Sequence, residues 1–372
     1  MERHLIVLGA GVVGLSTAWR LAQRGCKVTV VEQFALGHAR GSSHGAARIC
    51  RSTYAQPVYV QLVRLGLSED WPELEAEAGR TLLHRGGDAV VWGPEEGSIG
   101  EYAEASRGFD VESLGVAEAQ SRFPGLRFPG AERVLWDRTA AVIAAAETMT
   151  ALQTVCRARG VRFIEGVRVD SFSSDGKGVT LSAASGDGAV VLQADALVLA
   201  AGPWSAKVAG VPAIPVRQDV GYWALPGSRA GKFPCFIHLG AGGAVHYGLP
   251  GIGEDVMKAA FHRTSGAADD PDIPRLEADP PALAAVEEKL RDWFVGIGPL
   301  VRSETCFYSN TPTEDFALDV VSADGRVVVG AGLSGHGFKF GPLLGRILAD
   351  LVLTGTSTVA PFAEDRGRFA LR

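Results

Sequence analysis

His4-Leu5-Ile6-Val7-Leu8 runs into Gly9-Ala10-Gly11-Val12-Val13-Gly14, and Glu32 closes the next apolar run; the reading of this stretch decides the fold. The apolar run reads as a short buried strand, and the glycines let the backbone turn tightly and approach a pyrophosphate with no side chain in the way. Leu15, Ala18, Trp19 and Ala22 then recur at helical spacing, Gly25 supplies a left-handed stop, and Lys27–Val31 reads as a second strand. The Glu32 carboxylate at its end has the chemistry to accept both ribose hydroxyls of an adenosine and to repel a 2′-phosphate, which favours FAD or NAD over NADP. The glycine pattern alone is weak, since Gly330-Ala331-Gly332-Leu333-Ser334-Gly335 matches it too. Only the first copy has strand, helix, strand and terminal acid in order.

At 372 residues the chain is long enough for two or three compact lobes, and 47% hydrophobic content supplies their cores. A net charge of −6 with no long basic run leaves no electrostatic footprint for nucleic acid or an anionic membrane, so a small molecule is the expected partner. Cys26, Cys50, Cys156, Cys235 and Cys306 form no C-x-x-C pair and leave an odd one, which argues for a reducing compartment without a disulfide framework. The histidines show no metal-ligand spacing with cysteine or carboxylate, so no metal is expected. The apolar start lacks a charged n-region, cleavage after it would destroy the glycine turn, and no apolar stretch reaches transmembrane length. A cytoplasmic soluble protein is the expectation.

Further along, residues 37–51 are glycine-rich, polar and irregular, the composition of a loop that lines a site. Residues 58–76 read as mostly helix, with the first lobe breaking off near Gly79, and 90–92 and 134–136 as short strands. Residues 139–159 read as a long helix stopped by Gly160. Three hairpin-like strands follow at 167–172, 179–183 and 189–194, turning at Asp175-Gly176 and Gly186-Asp187-Gly188, before a buried strand at 196–200 that ends in Ala201-Gly202-Pro203-Trp204. Residues 214–264 alternate as a second sheet, 282–294 form an amphipathic helix, 326–330 a buried strand and 342–353 a terminal helix.

Four further blocks stand in order behind the glycine turn. They are Gly41-Ser42-Ser43-His44-Gly45-Ala46-Ala47-Arg48-Ile49-Cys50-Arg51; Tyr247-Gly248-Leu249-Pro250 with Lys258 and His262; Cys306-Phe307-Tyr308-Ser309-Asn310-Thr311-Pro312 with Asp315-Phe316; and Gly335-His336-Gly337-Phe338-Lys339-Phe340. Together they resemble the monomeric sarcosine oxidase family, which also contains N-methyltryptophan oxidase and pipecolate oxidase, over nearly the whole chain. The resemblance implies an α/β flavoprotein of the glycine/D-amino-acid oxidase type. A Rossmann-type FAD-binding domain (1–78, 138–210 and 303–372) would be interleaved with an α+β substrate domain built on a mostly antiparallel sheet (79–137 and 211–302).

By the same resemblance FAD is bound covalently, through the Cys306 sulfur to the flavin 8-methyl carbon. That bond needs a thiolate, so Cys306 should sit where positive charge favours one. The implied cofactor set is Gly9, Gly11, Val12, Val13, Gly14, Glu32, Ser42, His44, Arg48, Val169, Gly202, Trp204, Cys306, Gly335, Gly337, Phe338 and Lys339. His44 and Arg48 would lie against the flavin ring, Arg51 and Lys339 would clamp the substrate carboxylate, Lys258 would activate oxygen, and Tyr247 and His262 would line the substrate cavity. Lys258, Arg48, His262 and Tyr247 form the expected catalytic set. Ser43 stands where sarcosine oxidases tend to have a second histidine, and Ala46 where they have an aspartate.

The implied reaction oxidises a secondary amino acid, N-methyl or cyclic, to an imine, with oxygen reduced to hydrogen peroxide by a monomer. Alternatives are a pipecolate- or proline-type imino acid oxidase, a dehydrogenase serving a quinone or electron-transfer partner, a flavoprotein whose FAD is structural, and an NAD protein that needs no Cys306. Lys258 argues against the dehydrogenase. Gly41-Ser42-Ser43-His44-Gly45 also spells a nucleophile elbow, but no apolar strand leads into it and no clear helix follows.

Overall fold

In the computed structural model, residues 3–94, 99–186, 188–264, 268–273 and 277–371 are described. The strand His4–Leu8 lies between Lys27–Val31 and Ala196–Leu199, parallel to both. Leu5 and Val7 point into one apolar cluster and Ile6 and Leu8 into another, so a strand covered on both faces reads as an unbroken apolar run. Val327–Ala331 adds parallel to Ala196–Leu199, and Arg162–Ile164 parallel to Lys27–Val31. Ala317–Val320 closes the far edge antiparallel. On one face the helices Val12–Gln23 and Gly341–Thr354 pack against each other. The other face is covered by the meander Arg168–Ser174, Val179–Ser185 and Gly188–Ala194.

A second sheet of eight strands runs in the order Leu300–Asn310, Ile214–Ala224, Val256–Phe261, Val245–Pro250, Cys235–Leu239, Ala89–Gly93, Arg133–Asp137, Val111–Gly115. Every neighbouring pair is antiparallel except Cys235–Leu239 with Ala89–Gly93. Trp223 and Met257 point to the face covered by helix Pro280–Trp293. Their chain neighbours Tyr222 and Lys258 therefore point to the opposite face, because side chains alternate along a strand.

The structure corrects two expectations. Residues 141–144 do not open the long helix: Ala141–Ala144 is a strand between Ala47–Cys50 and Leu83–Arg85, and the helix is Ala145–Ala158. Ala-Val-Ile-Ala is equally apolar in either state, and pairing with the loop decides. The same pairing turns the end of the irregular 37–51 stretch into strand. Residues 58–76 are helical as expected, as Pro57–Leu65 and Trp71–Ala78 joined through a π-turn at Gly66–Asp70. Buried Asp70 ties that turn to the helices Val12–Gln23 and Gly341–Thr354 through Arg20 (2.6 Å) and Arg346 (2.9 Å). The strand Leu300–Asn310 crosses the expected domain boundary at 303 and pairs along its length with Ile214–Ala224. Asp187, in the expected turn, lies outside the described residues. No helix among the described residues is long and apolar enough to cross a membrane, none of them form a metal-binding group, and no disulfide joins the cysteines among them.

Candidate functional site

A cavity of about 840 Å³ opens at the carboxyl ends of the parallel strands and continues to the polar face of the eight-stranded sheet. Ligands in open α/β sheets bind at that end of the strands. Every expected cofactor and substrate residue lines it except Gly14, which lies behind the turn. Gly9 is required where it stands: its φ is +103°, and a Cβ there would lie 2.3 Å from the Ala200 carbonyl oxygen. Glu32 is buried and accepts the Ala10 (2.8 Å) and Phe34 (3.0 Å) amides, with His38 Nε2 at 3.4 Å. Burial pushes its carboxyl up, but the hydrogen bonds from His38 and Ala10 outweigh this and hold it below the usual value. Ser43 Oγ accepts the Val12 amide at 3.1 Å, one of the free donors at the start of the first helix. Trp204 sits against Phe34 with ring centroids 5.5 Å apart and donates to Asp272 at 2.7 Å.

Midway along the cavity the Ala47–Cys50 strand and its loop meet the eight-stranded sheet. Arg48 donates to the carbonyls of Ala47 (2.9 Å), Ser42 (2.9 Å) and His44 (2.5 Å), which folds the loop around its guanidinium. Lys258 is 4% exposed and donates to Glu304 Oε1 at 2.8 Å. Burial, with Arg48 nearby, lowers the lysine to about 8 against the pull of Glu304. For Glu304, burial is outweighed by Lys258, Tyr222 and Arg48, which bring it down to about 2. Burial, then Arg48, keeps His44 neutral with a value of about 4. The Cys306 thiol departs from the expectation: burial raises it, and Arg48 and Lys258 only offset part of that rise.

At the far end Arg51 stacks on Tyr54, 4.6 Å from the ring centroid, and faces Tyr102 at 5.8 Å. Lys339 donates to Tyr54 Oη (2.8 Å) and the His336 carbonyl (2.7 Å). Neither cation has an ion-pair partner among the described residues. Burial, then Arg51, lowers Lys339 to about 7. His262, lowered to about 4 by burial and then by Arg51 and Lys339, is neutral beside them. Tyr247 accepts from Tyr308 Oη at 3.1 Å.

Two buried cations without a counter-anion among the described residues suit an anionic ligand, and a carboxylate bound there favours the Lys339 ammonium. Affinity for a small carboxylate should therefore be full below about pH 7 and lost as pH rises through that value. The limiting slope is roughly tenfold per pH unit. Titrating the dissociation constant against pH checks this, and Lys339→Met should abolish the slope.

Glu304, Tyr54, Tyr102 and His38 were not singled out from the sequence. Glu304 and Cys306 are two apart on one strand and share a face, a signal available once 300–310 is recognised as strand.

The cavity joins a dinucleotide turn to a carboxylate-binding end. Beside it lies His44 Nε2, buried with no hydrogen-bond partner among the described residues. That orphaned atom and the glycine turn fit a bound flavin dinucleotide. The family match, described as FAD dependent oxidoreductase (DAO), covers residues 4–351. The chain belongs to the DAO family of FAD dependent oxidoreductases. Among DAO proteins, it is 35% identical to the human peroxisomal sarcosine oxidase, over 97% of this chain and 95% of the relative. It is 30% identical to the monomeric sarcosine oxidase of Bacillus sp. strain B-0618, over 95% and 94%. NikD, described as an unusual amino acid oxidase essential for nikkomycin biosynthesis, superposes with a TM-score of 0.84 over 100% of this chain and 98% of NikD, at 24% identity. This is an FAD-dependent oxidoreductase with a DAO fold, a Rossmann-like sheet set beside a mostly antiparallel one.

Proposed function

We propose that this DAO protein is an oxidase of secondary amino acids, N-methyl or cyclic, and that Cys306 carries its FAD covalently. The observation that carries the reading is the unpaired Arg51 and Lys339 pair at the end of a cavity that starts at the dinucleotide turn. The names of the sarcosine oxidase relatives support the substrate class. FAD, when bound, accepts a hydride from the carbon beside the amine and passes two electrons on. The chain's own groups do the rest. Arg51 and Lys339 hold the carboxylate; neutral His262, with Tyr247 and Tyr308, walls the amine end and excludes water. Arg48 and Lys258 supply positive charge, and the acceptor we propose is oxygen, giving hydrogen peroxide. The released imine hydrolyses in water. The residues proposed to hold the cofactor are those already placed around the cavity, with Gly14 backing the turn. The proposed FAD domain comprises 1–78, 138–210 and 303–372, with the strand Leu300–Asn310 at its start shared with the eight-stranded sheet, and the protein is read as a cytoplasmic monomer.

A panel of N-methyl and cyclic amino acids should bleach the flavin anaerobically and yield peroxide in air. If no member bleaches it, the reading is wrong. Acid precipitation should leave the yellow colour in the pellet, and in Cys306→Ala the colour should move to the supernatant. Release of all flavin from the parent would remove the covalent bond but not the oxidase.

A further inference from the structure

Lys258 does not stand alone on the cavity wall. Its strand, Val256–Phe261, and the edge strand Leu300–Asn310 flank Ile214–Ala224 on opposite sides. The Lys258 side chain crosses that middle strand, its Nζ 5.4 Å from the Tyr222 ring centroid, and reaches Glu304 Oε1 at 2.8 Å. Tyr222 Oη donates to the same oxygen at 2.7 Å. Lys258 and Cys306 line the cavity, whereas Glu304 lies behind them and does not. Room for its carboxylate comes from Gly45, where a Cβ would fall 3.0 Å from Glu304 Oε1 and 3.3 Å from Arg48 Nη1. The carboxylate thus pairs with Lys258, while the Arg48 guanidinium, bound to backbone carbonyls, lies nearby without pairing to it.

We propose that Glu304 is the positioning residue for Lys258: its carboxylate, braced by Tyr222, keeps the lysine amine protonated and fixed beside Cys306 on the cavity wall. The inference rests on Lys258 facing the flavin. Burial and the Arg48 charge both oppose the ammonium, and Glu304 is the carboxylate that opposes them. The other titratable groups facing the lysine are Cys306, His44 and Tyr222. His44 is neutral and the phenol is held above its ordinary value by burial, so neither supplies the missing negative charge.

The test is a pH titration of the visible absorbance of the oxidised holoenzyme, which needs bound flavin but no turnover. The parent should show a transition near pH 8 that is absent in Lys258→Met. Glu304→Gln should move its midpoint down by about one pH unit or more. Glu304→Asp keeps the charge but withdraws it by one methylene, so its midpoint should fall between the two. It also serves if the glutamine variant folds poorly. In the Lys258→Met background, Glu304→Gln should not slow oxygen consumption by the reduced enzyme any further. The proposal is overturned if the midpoint stays at the parent's value in the Glu304 variants, or if the transition survives in Lys258→Met. Additional slowing by Glu304→Gln in the Lys258→Met background also overturns it. Absence of peroxide from the parent would instead overturn the oxidase reading and leave the titration standing.

Discussion

Replacing Lys258 with methionine is expected to slow reoxidation of the reduced enzyme by oxygen more than about a hundredfold, while anaerobic reduction by substrate stays within roughly tenfold. The first electron given to oxygen creates an anion in a small cavity from which most water is excluded. An ammonium about 4 Å away stabilises it by roughly 4 kcal/mol at an effective dielectric of 20, which is up to about a thousandfold on the barrier. Glu304 on the far side of Nζ takes part of that field, hence the smaller expected figure. Hydride transfer from substrate creates no charge at that place. The methionine keeps the apolar stem that crosses Tyr222, so packing is preserved. Because burial lowers Lys258 to about 8, reoxidation in the parent should also slow as pH rises through that value. Stopped-flow measurement of the two half-reactions separates the outcomes. Equal slowing of both would make Lys258 a substrate-binding or structural residue, and no slowing of reoxidation would take away the main reason to choose oxygen as acceptor.

The second large effect concerns the carboxylate. Truncating one partner of a shielded charge pair costs about 2–5 kcal/mol, so Arg51→Ala or Lys339→Ala should weaken binding of a carboxylate inhibitor at least about tenfold. An amine lacking the carboxylate should be an equally poor ligand for parent and variants, because it never engages the pair. The Arg51 variant is the cleaner of the two. Lys339 also holds Tyr54 and the His336 carbonyl, so part of its loss is local structure. Inhibitor affinity unchanged in both variants would place the clamp elsewhere.

The dinucleotide turn and its sheet were legible because local physics alone forces them: a positive φ at Gly9, an apolar run of strand length and an acid at the next strand end. The carboxylate end was legible through resemblance. What the sequence concealed was long-range pairing. Ala141–Ala144 has the composition of a helix start, and nothing local says that Ala47–Cys50 will pair with it. Residues 300–303 are exposed along an edge and 302–305 are polar, so the strand that presents Glu304 carries no alternating apolar signal until Phe307. Glu304 became visible only when that strand lay two places from Lys258. The Cys306 thiol shows the opposite limit: its cationic neighbours were anticipated, but the burial that outweighs them is a property of the packed sheet.

The pairing of His4–Leu8 with Ala196–Leu199, and of that strand with Val327–Ala331, also dictates when the protein can mature on the ribosome. The first strand finds Lys27–Val31 early but waits for its second partner nearly two hundred positions away, and that partner for another more than a hundred beyond. At roughly 5–20 residues per second, the nascent chain spends on the order of 20–60 s with the edges of its central strands uncovered. The cradle for the cofactor therefore closes only after Val327–Ala331 and the turn that follows it have been made, and an N-terminal fragment that stops short of them lacks part of the flavin site.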